Sequence, residues 1–549
     1  MTKEDNLKIA NLLYPEIANE NKPDRQKIEE KYPKRDLQEN AEVMRLAPSP
    51  TGELHSGALY LAMINDILAH RNNGKLILRI EDTDKNREVT GAAERMMKYL
   101  DIYNIKIDES LLQNSEYGPY IQSERLDTYN AFVYDFLIKD YAYVCFMTSE
   151  ELDLMREEQV VMKTRPGVYG KYAKSRDLTF EQIKTKIENK EPHVIRLKSS
   201  GNFDNKIKFE DELMGLMELS ENDEDFIIAK TDGVPTYHFA HLIDDYLMRV
   251  TFVMRANEWI ASMTKHLELW GKLGVKAPKY GHIMPINKKD GNSIRKLSKR
   301  KDPEASVAYY QKEGYTVDAL KAYLMRLANP TFDDWWNLQV EESDQKRIKI
   351  NLSNYEFNLD ELKRNSRGPL LDFDKLNNIS SDIVASMNAE EVAEKLLEWA
   401  KENDADFYNM INQNKDYLIK VLNIERETVK KRKDIYKWSM VKNSISYMYD
   451  EIFNNLNQDI NNQDLLKYLK VELSKDENKN LFDNSIDIDS WILTFKNIYN
   501  ASPFVNDIKF GDMMMSLRKS ITSQEKTPNL YYIFEVLGRD RVLQRLDQK

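Results

Sequence analysis

Residues 43–84 read VMRLAPSPTGELHSGALYLAMINDILAHRNNGKLILRIEDTD. The spacing predicts one βαβ unit. Residues 43–47 form a short apolar strand. Residues 48–57 hold Pro48, Pro50, Gly52 and Gly57, a loop through which neither strand nor helix continues. Residues 58–71 follow helical spacing, with Leu59, Ala62, Met63, Ile67 and Leu68 on one face. Asn73-Gly74 stops that helix, and the apolar run 76–80 is the second strand. An apolar strand following a helix suits a parallel sheet buried on both faces.

The loop sets His55 and Gly57 at the mouth of the helix, where free N–H groups and the helix dipole favour an anion. Gly57 lets a phosphate approach the backbone, and His55 can donate a hydrogen bond to it. Gly52 and Gly57 have P-loop spacing, but Ala58-Leu59 stand where Lys-Ser/Thr is required, so that reading fails. His-x-Gly alone is equally compatible with an ordinary loop that uses glycine for a left-handed turn. A second cluster, Lys296-Leu297-Ser298-Lys299-Arg300, shifts the balance. Lysine-rich loops are usually just solvated, but this one follows the second half of an α/β sheet.

The ordered motifs RLAPSPTGELHSG, RIEDTD, PTYHFAHLIDD, VMRANEW and KLSKRKDPEAS resemble those of the bacterial glutamyl-tRNA synthetases, class I aminoacyl-tRNA synthetases. The resemblance is strong over residues 45–330 and extends further only as layout. It implies a Rossmann-like parallel α/β sheet with an inserted acceptor-end domain, followed by an all-α anticodon-binding region. It implies ATP and Mg²⁺, glutamate, and tRNA(Glu), with tRNA(Gln) as a further candidate. By resemblance His55, Lys296 and Lys299 are catalytic, and Pro48, His55, Gly57, Ala58, Glu258, Leu297, Ser298 and Lys299 bind ATP. Arg45, Ala47, Ser49, Glu81, Tyr237, His241 and Arg255 line the glutamate pocket. Glu81 is the partner of the ammonium group. Ala47-Pro48-Ser49-Pro50 favours glutamate over glutamine, since the near relative that charges glutamine usually has a different first loop.

Three features depart from the family pattern. His241 stands where relatives often carry Asn or Val. Ser56 replaces a branched apolar residue, faces the helix start and is a candidate cap. An extension of about forty residues precedes the first strand; it reads as a helical arm on the main body, built on Leu7, Ala10, Leu13 and Tyr14, with a tRNA contact as the alternative.

Composition sets bounds on all of this. A chain of 549 residues, 41% hydrophobic, holds several domains, and a net charge of −11 excludes a globally basic nucleic-acid binder. Any tRNA surface is a local patch. One cysteine, Cys145, excludes a disulfide framework and a cysteine-built zinc site. No run is long enough to span a bilayer, so the expectation is a cytoplasmic protein; the resemblance implies a monomer.

The layout reads as residues 1–40, the extension; 41–120, the first catalytic half; 121–221, the insert; 222–290, the second catalytic half; 291–344, the KMSKS-type loop and stem-contact region; 345–549, the helical region. Within the insert, Lys171, Lys174 and Arg176 are either an acceptor-end contact or a solvated basic face. Glu81, Asp82 and Asp84 end the second strand, where bare chemistry also allows Mg²⁺ ligation or helix capping. Lys430-Lys431-Arg432-Lys433, near Tyr436 and Trp438, is the densest basic cluster of the last region. It suits phosphate contact and base stacking, with a solvated helix face as the alternative.

The chemistry asks the protein to align a carboxylate with the α-phosphorus of ATP and to neutralise charge on the phosphates. Competing readings are glutamyl transfer to a modified tRNA base, a small-molecule nucleotidyltransferase, and a tRNA-binding relic without catalysis. The long chain after Pro330 argues against the first two, and the presence of both His55 and Lys299 argues against the third.

Overall fold

The computed structural model describes residues 1–50, 52–83, 89–113, 115–346, 348–363, 367–428, 431–456, 462–483 and 485–547. They form two compact units. The first comprises residues 1–307, 327–329 and 357–371; the second comprises 308–326, 330–356 and 372–549.

The first unit begins with the arm, α1 (Lys3–Leu13), α2 (Pro15–Ala18) and α3 (Arg25–Glu29). Thr2 and Asp5 close a capping box at the start of α1. The buried face is Asn6, Ile9 and Ala10, while Leu7 is 41% exposed. Of the expected stripe only Leu7 faces out: Ala10 is buried, Leu13 and Tyr14 pack against the core, and Ile9 takes the inward place beside them. Ile9, Ile17, Ile28 and Tyr32 join one core with Tyr129, Phe132 and Phe136. Arg25 donates to Asp135 and to the Leu273 carbonyl, both at 2.9 Å. Arg35 donates to the Met248 carbonyl at 3.0 Å and to Glu109 at 2.9 Å.

Next come β1 (Val43–Leu46), α4 (Ser56–His70) and β2 (Lys75–Leu78), with β1 and β2 parallel as the periodicity predicts. Helix α4 buries Leu59, Tyr60, Ala62, Met63, Ile64, Leu68 and Ala69, more than one face; Ile67 is only half-buried. Each fully buried large side chain there contributes about 2 kcal/mol. Asn73 adopts a left-handed φ of 58°, and Gly74 follows because a Cβ there would meet the Glu42 carbonyl at 2.0 Å. The helix stop thus uses the two residues for different reasons.

The chain continues through α5 (Ala92–Ile102), α6 (Leu126–Ile138), β3 (Ala142–Cys145), α7 (Ser149–Val161), α8 (Phe180–Glu188), β4 (Val194–Leu197), the hairpin β5 (Lys206–Asp211) and β6 (Gly215–Ser220), and β7 (Ile227–Ala229). Thr148 and Glu151 form the capping box of α7 that the sequence signals. The run 226–229 is a strand, but it pairs antiparallel with β4 rather than entering the parallel sheet.

The parallel set resumes after α9 (Tyr237–Leu247) with β8 (Phe252–Ala256), α10 (Met263–Leu273) and β9 (Lys279–Ile283). Helix α9 runs past Asp245 to Leu247, and β8 starts only at Phe252. Thr251 N–H donates to the Val43 carbonyl at 2.9 Å, joining the starts of β1 and β8. Arg45, Glu81, Arg255 and His282 therefore all lie toward the carboxyl ends of this parallel set, where open α/β sheets bind ligands. A hairpin, β10 (Asn287–Asp290) and β11 (Ser293–Lys296), precedes the KLSKR loop.

The second unit is helical. It includes the helices Phe373–Ser386, Ala389–Asn403, Gln463–Leu473 and Leu530–Asp547, the last kinked at Gly538. Trp491, Phe495, Phe482 and Phe534 interlock in its core. Among the described residues no helix is long and apolar enough to cross a membrane.

Candidate functional site

His55 caps α4. Its Nδ1 accepts the Gly57 N–H at 2.9 Å, and its φ of −78° and ψ of 141° are those of a cap residue. Ser56, the candidate cap, is instead the first helical residue, buried, with no hydrogen-bond partner for Oγ among the described residues. The imidazole has taken the backbone bond that a serine would otherwise take. Accepting at Nδ1 leaves the neutral ring its N–H at Nε2. Gly57 has an ordinary φ; the constraint is space, since a Cβ there would lie 3.1 Å from His55 Nδ1. Ala58 N–H and Leu59 N–H both return to the His55 carbonyl.

The KLSKR loop comes to this helix mouth. Lys299 Nζ donates to the Glu53 carbonyl at 2.9 Å, and Val307 N–H donates to the Leu54 carbonyl at 3.0 Å. Burial, then the ammonium charges of Lys299 and Lys296, pull the His55 pKa down to about 4. Lys296 pairs with Glu258 at 2.5 Å. Leu297 is buried, its N–H on the Ile286 carbonyl, and Ser298 N–H donates to Asp302 at 2.9 Å. Asp302 also accepts from both Nη groups of Arg295, at 2.7 and 2.9 Å, so one buried carboxylate holds the loop's shape. The two loops, more than two hundred residues apart in sequence, thus bring the His55 ring and the Lys296 and Lys299 ammonium groups to one helix mouth.

A second group lies beside it. Pro48 links the two, its carbonyl accepting the Glu81 N–H at 3.0 Å. Arg45 is buried with Nε 3.3 Å from both oxygens of Asp245. Arg79, fully buried, donates to Asp245 at 2.8 Å and to Glu81 at 3.0 Å. Burial raises the Glu81 pKa to about 7 against the pull of Arg79 and Arg45. Burial also opposes ionisation of Asp245, but Arg45 and Arg79 hold its carboxyl well below the usual range. Arg255 donates from Nε to His282 Nε2 at 3.0 Å, and its Nη2 meets Met263 Sδ at 3.1 Å and His266 Nδ1 at 3.2 Å. Its Nη1 is buried with no hydrogen-bond partner among the described residues. Tyr237 stacks between Trp259, at 4.3 Å, and His241, at 4.6 Å. His241 Nδ1 donates to the Tyr237 carbonyl at 2.7 Å, and its buried Nε2 has no partner among the described residues. Ala47 is half-buried on the connecting loop and Ser49 is exposed there.

Sequence reasoning missed Arg79, His282, His266 and Asp211. Arg79 was detectable: it shares a strand face with Glu81 at i, i+2, and Asp244-Asp245 in an apolar helix demands buried cations. Asp82 accepts from Ser123 N–H at 2.8 Å, the capping alternative; Asp84 lies outside the described residues. Among the described residues no cluster of three or more His, Cys, Asp or Glu is arranged for a metal.

In the insert, Lys171 is paired with Glu158 at 2.9 Å and Arg176 is bound to buried Asp225. Arg176 is thus pinned, whereas Lys171 and Lys174 are exposed to solvent. In the second unit Lys430 lies outside the described residues. Residues 431–435 carry no helix, which corrects the solvated-helix alternative. Lys431 donates to the Ser343 carbonyl at 3.1 Å, Arg432 pairs with Asp434 at 2.5 Å and Lys433 with Asp382 at 2.9 Å. With Tyr447 and Lys526 these cations line a cavity of about 650 Å³. Trp438 is buried, so it is not available for base stacking.

The profile described as "tRNA synthetases class I (E and Q), catalytic domain" matches residues 42–362, and that described as "Anticodon binding domain" matches residues 391–549. A glutamate–tRNA ligase of Clostridium perfringens is 40% identical over 98% of this chain and 99% of its own. One from Clostridium beijerinckii is 38% identical over 94% and 95%. A crystal structure of a glutamate tRNA ligase from Elizabethkingia meningosepticum in complex with its amino acid superposes with a TM-score of 0.72 at 26% identity, covering 93% of this chain and 99% of that one.

Proposed function

The chain belongs to the glutamate–tRNA ligases, ATP-dependent class I aminoacyl-tRNA synthetases of the glutamate and glutamine branch, and on that premise we propose how its own residues carry the reaction. The α-carboxylate of glutamate attacks the α-phosphorus of ATP, pyrophosphate leaves, and the glutamyl group passes to a ribose hydroxyl of the 3′-terminal adenosine. No side chain need become a nucleophile; positioning and charge neutralisation suffice. His55, neutral with its N–H at Nε2, donates to a phosphate oxygen at the mouth of α4. Lys299 leaves the Glu53 carbonyl, and Lys296 leaves Glu258, for the negative charge of the triphosphate. Gly57, Ala58, Leu297 and Ser298 supply the backbone around it. Mg²⁺ enters as part of the ATP substrate.

Glutamate lies over the second group. Arg45 and Arg255 take its side-chain carboxylate in charge-assisted hydrogen bonds, and Glu81 takes the ammonium. One observation carries this reading: a buried arginine edge, Arg255 Nη1, with no partner among the described residues. Leaving such a donor unpaired costs several kcal/mol on the order expected for charged groups, and a carboxylate ligand removes that cost. Glutamine brings no charge and pairs it poorly.

The acceptor in this reading is tRNA(Glu), with tRNA(Gln) as a second acceptor to be tested beside it, and the enzyme acts as a cytoplasmic monomer. The cavity lined by Lys431, Arg432, Lys433 and Lys526 is the candidate contact for the anticodon arm. A full-length match that includes an anticodon-binding profile disfavours both the modified-base and the nucleotidyltransferase readings. The test is ATP–pyrophosphate exchange with tRNA present: glutamate supports it and glutamine does not. Absence of glutamate-dependent exchange under those conditions rejects the reading.

A further inference from the structure

Arg255 is held from behind by a chain of two buried side chains that no step above uses. His282, on β9 and directly opposite Arg255 in register, accepts the Arg255 Nε–H at Nε2, 3.0 Å away. Its Nδ1 lies 2.5 Å from Asp211 Oδ2. Asp211 ends β5, in the span read as the insert, and its Oδ1 accepts the N–H groups of Leu213 at 3.0 Å, Met214 at 2.9 Å and His282 at 3.2 Å. The Asp211 and His282 side chains are fully buried. Glu212 N–H donates to the Tyr280 carbonyl at 2.8 Å, so the hairpin end is fastened to β9 at two neighbouring points.

We propose that His282 and Asp211 are positioning residues for side-chain recognition: they fix the Arg255 guanidinium with Nη1 left free for a carboxylate. The proposal rests on the reading of Arg255 as the partner of the glutamate side chain. Proton placement is the reason both residues are needed. A guanidinium has only donors, so His282 Nε2 must carry a lone pair. The proton of a neutral imidazole then sits on Nδ1, and Asp211 is the acceptor that keeps it there. The Arg255 guanidinium also lies over the Tyr280 ring at 5.0 Å, which limits its tilt but not its rotation in plane; the His282 bond at Nε, together with the His266 contact at Nη2, removes that freedom. Because Asp211 arrives on the β5–β6 hairpin, the pocket is complete only when that hairpin is docked.

Asp211→Asn tests this at nearly constant shape. Three backbone N–H groups pin one oxygen, so the amide oxygen occupies that position and the amide NH₂ faces His282 Nδ1. The proton is driven to Nε2, where it opposes the Arg255 Nε–H. ATP–pyrophosphate exchange is measured on the full chain with tRNA present, varying glutamate and ATP separately. Asp211→Asn and His282→Phe raise the glutamate KM on the order of tenfold, the middle of the range for members of one hydrogen-bond network, and leave the ATP KM within about twofold. His282→Gln keeps an acceptor in reach of Nε and recovers most of the loss. A glutamate KM unchanged in Asp211→Asn, an ATP KM that rises in step with it, or a His282→Gln as impaired as His282→Phe overturns the proposal. If His282→Phe does not fold, Asp211→Asn decides alone. A wild-type chain without glutamate-dependent exchange rejects the parent reading instead, which keeps the two failures apart.

Discussion

Glu81→Gln separates a charge from its shape, because glutamine still accepts from Arg79 and the frame around Asp245 stays paired. Burial raises the Glu81 carboxyl to about 7. An ammonium ligand favours the ionised form, so binding releases a proton and affinity grows as pH rises through that value. With a midpoint of about 7, roughly one chain in eleven is binding-competent at pH 6 and ten in eleven at pH 8. The glutamate KM of the wild-type chain therefore rises about tenfold from pH 8 to pH 6, since apparent affinity scales with the competent fraction. Glu81→Gln removes that slope and, at pH 8, loses one charge-assisted bond of about 1.5–3 kcal/mol, a factor of about 10–150 in KM. The pocket histidines do not blur the window: burial holds His241 and His266 well below 6.5. The measurement is glutamate-dependent ATP–pyrophosphate exchange with tRNA(Glu) across that pH range. A wild-type KM that does not move with pH, or a slope that survives in the variant, refutes the reasoning.

Lys299→Ala lowers kcat by about 100–1000-fold, the usual effect of losing one charge-stabilising donor. Its melting temperature stays put, because the exposed bond to the Glu53 carbonyl contributes little; parallel kinetics and thermal melts check both halves. Arg45→Ala raises the glutamate KM about 10–100-fold while Asp245 keeps Arg79, so the fold persists; unchanged kinetics reject the pocket assignment. Acid weakens the fold through its histidines. His238 is pulled down to about 4 by burial and then Lys265 and Arg255, and burial holds His241 and His266 well below 6.5 as well. Below the unfolded value of about 6.5 the unfolded chain binds protons that the folded chain refuses, so stability falls as pH drops, by up to about 1 kcal/mol per group per pH unit. Glu81 works the other way, losing stability as pH rises between about 4.5 and 7, but it is a single group. Melting temperatures that are equal at pH 7 and pH 5.5 contradict this.

The βαβ unit was legible because periodicity, two prolines and Asn73-Gly74 all point the same way, and the helix and strands stand within a residue or two of the expected bounds. The His-x-Gly loop was legible as a motif, but its cap was not. Ser is the better cap by propensity, and only the folded ring shows that His55 takes the bond. Residues 226–229 lie in the span read as the second catalytic half, yet their strand pairs antiparallel with β4, because a three-residue apolar strand carries no information about which partner it finds. Arg255 was readable as a strand-end cation. His282 and Asp211 were not, since a buried polar relay between a hairpin and a distant strand leaves no periodic trace. The basic run at 430–433 looked like a helix face on charge density alone; the carboxylates that pair Lys431 and Lys433, Asp344 and Asp382, come from other segments.

The N-terminal arm has a consequence for the order of events at the ribosome. Arg25 and the Leu273 carbonyl that it clasps are 248 positions apart. At about 5–20 residues per second, translation leaves that gap open for roughly 12–50 seconds. Ile9, Ile17 and Ile28 do not wait that long, since Tyr129, Phe132 and Phe136, which share their core, are made before residue 140. The arm's seat on α6 is thus available well before its clasp on the end of α10, and its docking completes in two stages.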